Sequence, residues 1–219
     1  MNKLLYAGVV GPLLFIAVFL VEGATRPGYS AWRNFVSQLA TGDGGWVQVA
    51  NFLICGGCVL AFAVGLRQAI RGSRGSMGAP VLFGLLATSM LVAGAFSTDP
   101  ALGYPPGAPA VQTTHGLIHG LAGLAAFTTL PAAAFVMAWH FAAEPNARRW
   151  TLYSLGVSLV ILVMFIVSNT AAAMDASGHW QNAPTGLFQR IAIITGWTWI
   201  AMVAWRAARQ SSKPRPAGA

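Results

Sequence analysis

The sequence predicts an all-α fold, an integral membrane bundle of six transmembrane helices, from its composition, its long apolar runs and the placement of its basic residues. Of the 219 residues, 56% are hydrophobic and only 8% are charged, whereas a soluble globular domain carries about 25% charged residues. A chain with so little charge cannot cover a water-facing surface, so lipid must surround most of it. We expect a single membrane domain over residues 1–210 and a polar, disordered cytoplasmic tail over residues 211–219.

Six mostly apolar runs are long enough to cross a bilayer, which takes about 20 residues of helix. The predicted spans are residues 4–21, 47–66, 80–96, 115–139, 152–172 and 187–205. The first run is too long for the apolar core of a signal peptide, and no cleavage site follows it, so we expect it to be retained as a span.

The basic residues predict the orientation of the bundle. Ten of the 13 lysines and arginines fall on one side of the six spans, and only Arg26, Arg33 and Arg190 fall on the other. Cytoplasmic loops carry the excess of Lys and Arg, so both termini are expected in the cytoplasm. The net charge of +8 is explained by this topology. Because the basic residues form no stripe on a water-soluble face, nucleic-acid binding is not predicted.

The connections on the predicted outer side are long. They cover residues 22–46, 97–114 and 173–186, and they hold four of the five acidic residues. The inner connections are short and basic. Long loops in a small compact protein are usually functional, so a functional site is expected at the outer face.

The sharpest candidate for chemistry is the set Ser97, Asp99, His115 and His119. The histidines are four residues apart on one helical face, and a Pro/Gly-rich loop could bring Asp99 beside them. Two imidazoles and a carboxylate suit a zinc site with an open position. We therefore predict Asp99, His115 and His119 as metal ligands in a pocket that opens outward, with Ser97 and Asp99 as catalytic residues. The alternative is that the histidines only hydrogen-bond backbone carbonyls at the interface.

A second polar set is predicted to bind a ligand. It comprises Glu22, Arg33, Ser37, Asp175, His179, Gln189 and Arg190. Arg190 is expected to pair with an acid, Glu22 first and otherwise Asp99 or Asp175, because an unpaired buried ion costs several kcal/mol. Such a pair could also be purely structural. Similarly, the aromatic residues between 22 and 46 could mark an interfacial segment without a role in binding.

Haem and nucleotide cofactors are not predicted. Haem held by two histidines needs its ligands on facing helices, whereas His115 and His119 share one helix and His140 lies at the opposite membrane surface. The predicted partners are membrane lipids and a small amphipathic ligand. The sequence gives no indication of the oligomeric state.

Several segments, in order between about residues 8 and 205, resemble one known family. They are PGYSAWRNFVSQLATGDGGWVQVANFLICG, GLR, GAFSTDPALGYPPG, THGLIHGLAG and GLFQRIAIITGW. Together they resemble the bacterial membrane proteins of the domain-of-unknown-function 998 family. This resemblance implies a six-helix protein of a bacterial inner membrane, and it implies no particular reaction.

The chain is more loosely similar to the alkaline ceramidase and adiponectin-receptor superfamily. That similarity implies a zinc ion held by histidines, near a Ser and an Asp, that hydrolyses lipid amides. The superfamily has seven helices and needs a third histidine, for which only His179 is a candidate here.

Three classes of function follow from the sequence. The first is an outward-facing pocket for a lipid-like ligand with metal-assisted hydrolysis, in which the metal lowers the pKa of a bound water. The second is a non-enzymatic lipid-binding or small-solute transport module, and the third is a purely structural membrane protein. Metal content would separate the first class from the other two.

Overall fold

The computed structural model describes residues 3–211 and folds them into six long α-helices with one short 3₁₀ helix, Val36–Ala40. The α-helices are α1 Lys3–Thr25, α2 Trp46–Ala69, α3 Gly78–Ala95, α4 Thr114–Ala142, α5 Arg148–Ala176 and α6 Thr185–Ser211. All six are long and apolar enough to cross a membrane. The predicted all-α class and its six spans are therefore confirmed.

Most helix ends lie a few residues beyond the predicted apolar runs, because helical hydrogen bonding continues into the polar flanks. The third helix differs: it stops at Ala95, and Phe96 is extended while its N–H caps the carbonyl of Val92. Ser211 still belongs to α6. The remainder of the predicted disordered tail, residues 212–219, lies outside the described residues.

The helices form a closed ring in chain order, in which each helix packs on the next and α6 returns to α1. Large side chains fill the centre of the ring. Phe83 packs edge-on against Phe62 with 4.9 Å between ring centroids, and it stacks on Trp199 at 5.9 Å. The indole N–H of Trp199 donates to the hydroxyl of Ser154 at 3.0 Å, so the buried polar atom of this core residue is satisfied.

The two ends of the ring differ in their connections. We call the end with residues 70–77 and 143–147 the basic end; the termini of the described chain lie there too. The end with residues 26–45, 96–113 and 177–184 is the loop-rich end.

Helices pack closely toward the basic end. A Cβ added at Gly8 would lie 2.5 Å from Cγ of Phe62, and one at Gly65 would lie 2.9 Å from Cβ of Leu4. Small residues let membrane helices approach each other in this way, because van der Waals packing drives their association. No side chain larger than glycine fits at either position without movement.

A polar cluster around Glu144 ties the basic end together. Its carboxylate accepts a hydrogen bond from Arg206 at 2.5 Å and lies 3.0 Å from Nε2 of His140. Nδ1 of His140 lies 2.9 Å from the carbonyl of Arg74. The cluster therefore joins α4, α6 and the connection 70–77.

Candidate functional site

The segment 29–41, which we call the roof, folds over the loop-rich end of the ring. Its 3₁₀ helix is mostly buried, including the polar side chain of Gln38. The Gln38 amide donates to the carbonyl of Ala101, and its oxygen accepts from the N–H of Phe35 at 2.9 Å. The Asn34 amide donates to the carbonyl of Leu102 at 3.0 Å. The roof is thus joined to the connection between α3 and α4.

Arg190 anchors the roof to α6. One guanidinium nitrogen donates to the carbonyls of Ala31 at 2.7 Å, Asn34 at 3.0 Å and Gly186 at 3.0 Å. The other donates to the hydroxyl of Tyr29. Burial raises the pKa of Tyr29, and the guanidinium beside it opposes that rise. Irregular backbone leaves carbonyls without partners, and a buried arginine supplies donors to several of them at once.

The predicted ion pair of Arg190 with Glu22, Asp99 or Asp175 is wrong. Glu22 pairs with Arg26 instead, which is four residues further along and within reach on the same helical face. The positive charge of Arg190 is compensated by carbonyl dipoles of the roof, a kind of partner that the residue types in a sequence do not reveal.

A second anchor of the roof is the ion pair between Arg33 and Asp175. It is bidentate, with 2.7 Å from Nε to one carboxylate oxygen and 2.7 Å from Nη2 to the other. The hydrogen bond to Asp175 raises the pKa of Arg33. The Asp175 side chain is 1% exposed and that of Arg33 is 31% exposed. Nearby, the indole of Trp32 donates to the carbonyl of Asn182 at 3.1 Å, so the roof is fastened to both α5 and the connection that follows it.

Asp99 caps the start of α4. Its carboxylate accepts from the N–H of Thr113 at 2.8 Å and from the hydroxyl of Thr113 at 2.6 Å. These hydrogen bonds hold the pKa of Asp99 below its usual value. A Cβ at Gly116 would lie 1.9 Å from the carboxylate, so the glycine makes room for this cap. An acid at a helix N-terminus is a common stabilising arrangement.

The structure does not arrange Asp99, His115 and His119 as a ligand set. His115 is exposed and packs edge-on against Phe96 with 5.2 Å between ring centroids. Nδ1 of His119 lies 3.0 Å from the carbonyl of Ala93 and 2.9 Å from that of Phe96. Within residues 3–211, no group of three or more His, Cys, Asp or Glu side chains could hold a metal ion. His119 therefore hydrogen bonds to backbone carbonyls, which was the alternative to metal binding. Zinc binding stays a prediction, and residues 3–211 provide no ligand set for it.

Two other predicted residues lie at the surface. Ser97 is exposed where the chain leaves α3. His179 is exposed in the connection after α5, where its Nδ1 lies 2.9 Å from the hydroxyl of Ser177.

A cavity of about 400 Å³ lies beneath the roof, inside the ring. All six helices contribute to its walls, together with the roof and Thr98. Aromatic rings dominate its inner part: Phe15 stacks on Trp197 at 5.5 Å and contacts Phe52 at 5.4 Å between centroids. The polar residues of the lining are Ser37, Ser89, Thr98, His119, Ser168, Asn169 and Gln189.

The cavity reaches the side of the bundle between α4 and α5. Its exposed lining residues are Gly120 and Leu124 on α4 and Asn169 on α5. A Cβ added at Gly120 or at Gly123 would meet nothing within 4 Å. Toward the basic end, Phe127 and Phe165 stack at 4.8 Å and close this gap. The opening, which we call the mouth, therefore lies on the flank of the bundle that lipid would cover.

Three of the residues singled out in the sequence line the cavity: Ser37, His119 and Gln189. The oxygen of Gln189 accepts from the N–H of Val36 at 2.7 Å, so this residue also holds the roof. The remaining predicted site residues, Glu22, Arg33, Ser97, Asp99, His115, Asp175, His179 and Arg190, are outside the lining.

Sequence reasoning missed the aromatic walls and the glycine edge of the mouth. In the sequence, nothing distinguishes Phe127 and Phe165 from the other apolar residues of the predicted spans. One local signal was present, because Gly120 and Gly123 follow His119 at one and four residues. This spacing keeps a glycine beside the histidine on the same helical face.

Comparison with known proteins identifies a family. No match to the chain was found among curated proteins or among solved structures. The family described as "Protein of unknown function (DUF998)" matches residues 9–206. This range contains every residue that lines the cavity. Because the match covers most of the chain, the protein belongs to the DUF998 family, and the resemblance read from its segments is confirmed.

Proposed function

We propose that this protein binds a lipid-like or small amphipathic molecule in the cavity beneath the roof and admits it through the mouth. The observation that supports this most is the cavity itself, which combines aromatic walls with a few polar groups and opens on the lipid-facing flank. Small-molecule sites are typically 300–1,000 Å³ in volume and mostly apolar, with a few placed polar groups.

The volume limits what the cavity can enclose. A cavity of about 400 Å³ lies at the small end of the range of small-molecule sites. A head group and the first part of a chain fit this space. The rest of a single acyl chain would extend through the mouth between α4 and α5 into the surrounding lipid.

The proposal includes an orientation. The loop-rich end faces the outside of a bacterial inner membrane, because most Lys and Arg residues lie at the basic end. A reporter fused after Ala219 would be active only in its cytoplasmic form. Activity of a reporter that works only outside the cytoplasm would overturn the proposed orientation. The proposal that the cavity binds a ligand would not be affected.

Binding can be tested by filling the mouth. The variant Gly120→Leu/Gly123→Leu places two side chains into open space that belongs to the cavity. Gly156→Leu is a matched control, since a Cβ there also meets nothing within 4 Å but the residue lies on α5 outside the lining. Native mass spectrometry of each protein, purified in mild detergent, would show which bound masses are retained.

The wild type and the control are expected to retain adducts of lipid mass that the double variant loses. Equal retention by all three proteins would overturn the assignment of the ligand to this cavity. Absence of any adduct from the wild type in several mild detergents would overturn binding itself.

Hydrolysis of the bound molecule has less support. Ser97 and Asp99, the predicted catalytic residues, lie outside the lining, and His119 is the one titratable side chain among the described residues that line the cavity. Elemental analysis of the purified protein would test this alternative. Stoichiometric zinc would support metal-assisted hydrolysis, and protein free of zinc and other transition metals would count against it.

A further inference from the structure

His119 presents a hydrogen-bond acceptor to the cavity. Its Nδ1 lies within 3.0 Å of two carbonyl oxygens, and carbonyl oxygens only accept, so Nδ1 carries a hydrogen. His119 is 6% exposed and has no ion pair with any described residue. A buried imidazolium without a carboxylate is costly, which favours the neutral ring. In neutral imidazole, the other nitrogen, Nε2, is then an acceptor.

Charged side chains are absent from the described residues of the lining. The two arginines that hold the roof are already engaged, Arg190 with carbonyls and Arg33 with Asp175. An anionic head group would find no cation in this cavity, and a cationic one would find no carboxylate. Since a buried ion without a partner costs several kcal/mol, the cavity disfavours both.

The other polar groups of the lining leave both acceptors and a donor for a ligand. Ser168 donates its hydroxyl hydrogen to the carbonyl of Thr185, and Asn169 donates to that of Phe165, so their oxygens remain as acceptors. Gln189 uses its oxygen on the N–H of Val36, which leaves its amide N–H groups as donors. A hydroxyl or amide head group matches this mixture, because it both donates and accepts.

We propose that the ligand is an uncharged single-chain amphiphile. Its hydroxyl O–H or amide N–H donates a hydrogen bond to Nε2 of His119. This inference rests on the proposed function and narrows it to one class of head group. His119 is five residues from the loop-rich start of α4, whereas Phe127 and Phe165 are 13 and 11 residues from the loop-rich ends of α4 and α5. One end of the molecule is therefore held by polar groups while its chain contacts these rings or leaves through the mouth.

The test compares three amphiphiles that share one oleoyl chain. Monooleoylglycerol is uncharged and donates hydrogen bonds, methyl oleate is uncharged and has no donor, and oleoyl lysophosphatidate is anionic. Their dissociation constants for the delipidated full-length protein would be measured by native mass spectrometry. Monooleoylglycerol is expected to bind about tenfold more tightly than methyl oleate, as one buried hydrogen bond would give, and lysophosphatidate is expected to bind most weakly.

Tighter or equal binding of lysophosphatidate, or equal binding of methyl oleate, would overturn the head-group inference and leave the proposed function standing. Failure of all three to bind would overturn the proposed function as well. His119→Phe removes the acceptor and keeps a ring, so it is expected to abolish the preference for monooleoylglycerol over methyl oleate. If this variant does not fold, the wild-type series still decides the question.

Discussion

The ring of six helices is closed in different ways at its loop-rich end and at its basic end. At the basic end, short connections and close helix packing complete the closure, with the Glu144 cluster at the surface. At the loop-rich end, the roof covers the ring and is held by part-buried hydrogen bonds that Arg190 and Gln38 donate and that the oxygen of Gln189 accepts. The cavity beneath the roof lies where the roof takes the place of direct helix packing.

Glycine has two different uses in the bundle. Gly8, toward the basic end, faces Phe62 so closely that an added Cβ would lie 2.5 Å from that ring. Gly120 and Gly123 face open space at the mouth. In the first case glycine permits packing, and in the second it preserves a passage. Composition alone does not distinguish these two uses.

The largest expected difference between the two ends is the loss of stability when one arginine is replaced at each end. Arg190→Met would remove hydrogen bonds to three carbonyls and to the Tyr29 hydroxyl, and each hydrogen bond from a charged group contributes about 1.5–3 kcal/mol. We expect a loss of stability of at least about 3 kcal/mol, visible as a lower apparent Tm in detergent. Arg206→Met at the basic end is the control. Its ion pair with Glu144 is partly exposed, and such pairs contribute about 1 kcal/mol or less. Equal destabilisation by the two substitutions would contradict the difference between the ends.

A smaller effect is expected at the Arg33–Asp175 pair. Arg33→Met strands the carboxylate of Asp175, which is buried, and should cost about 1–3 kcal/mol once the partial exposure of Arg33 is allowed for. Replacing both residues, as Arg33→Met/Asp175→Leu, removes the stranded charge and should recover much of that loss. The single variants are Arg33→Met and Asp175→Leu. If the double variant loses as much stability as the two single variants lose together, the pair does more than hold the roof. All four proteins would be compared by thermal unfolding.

The smallest expected effect is on the pH dependence of stability. The pKa of Asp99 is lowered by its hydrogen bonds to Thr113, so its ionised form stabilises the fold above the usual carboxyl pKa of about 4. That contribution is lost as the pH falls through the lowered pKa. Asp99→Asn should therefore flatten the acid limb of the Tm profile below about pH 4, and Thr113→Val should flatten it in part. An unchanged acid limb in Asp99→Asn would exclude this cap as a source of acid sensitivity.

The fold was predictable because lipid imposes a strong constraint on sequence. A spanning helix must be apolar over about 20 residues, and each observed helix contains or nearly contains its predicted run. The connections obey no comparable rule. The roof depends on hydrogen bonds between residues more than 60 positions apart, such as Gln38 to Ala101 and Arg190 to Ala31.

The site was predictable only in part, for a related reason. His119, Ser37 and Gln189 stood out as polar residues near apolar spans, and they line the cavity. Asp99 stood out equally, but the nearby backbone of α4 uses its carboxylate as a cap. A sequence shows which residues can do chemistry. It does not show which of them local structure has already engaged.

The central claim is that the cavity beneath the roof holds an amphiphile beside His119. A density map of the protein in lipid nanodiscs tests this most directly. We expect elongated density that passes through the mouth between α4 and α5 and ends within about 3.2 Å of Nε2 of His119, as a hydrogen bond requires. A map in which α4 and α5 close against each other and the protein's own side chains fill the cavity would contradict the claim.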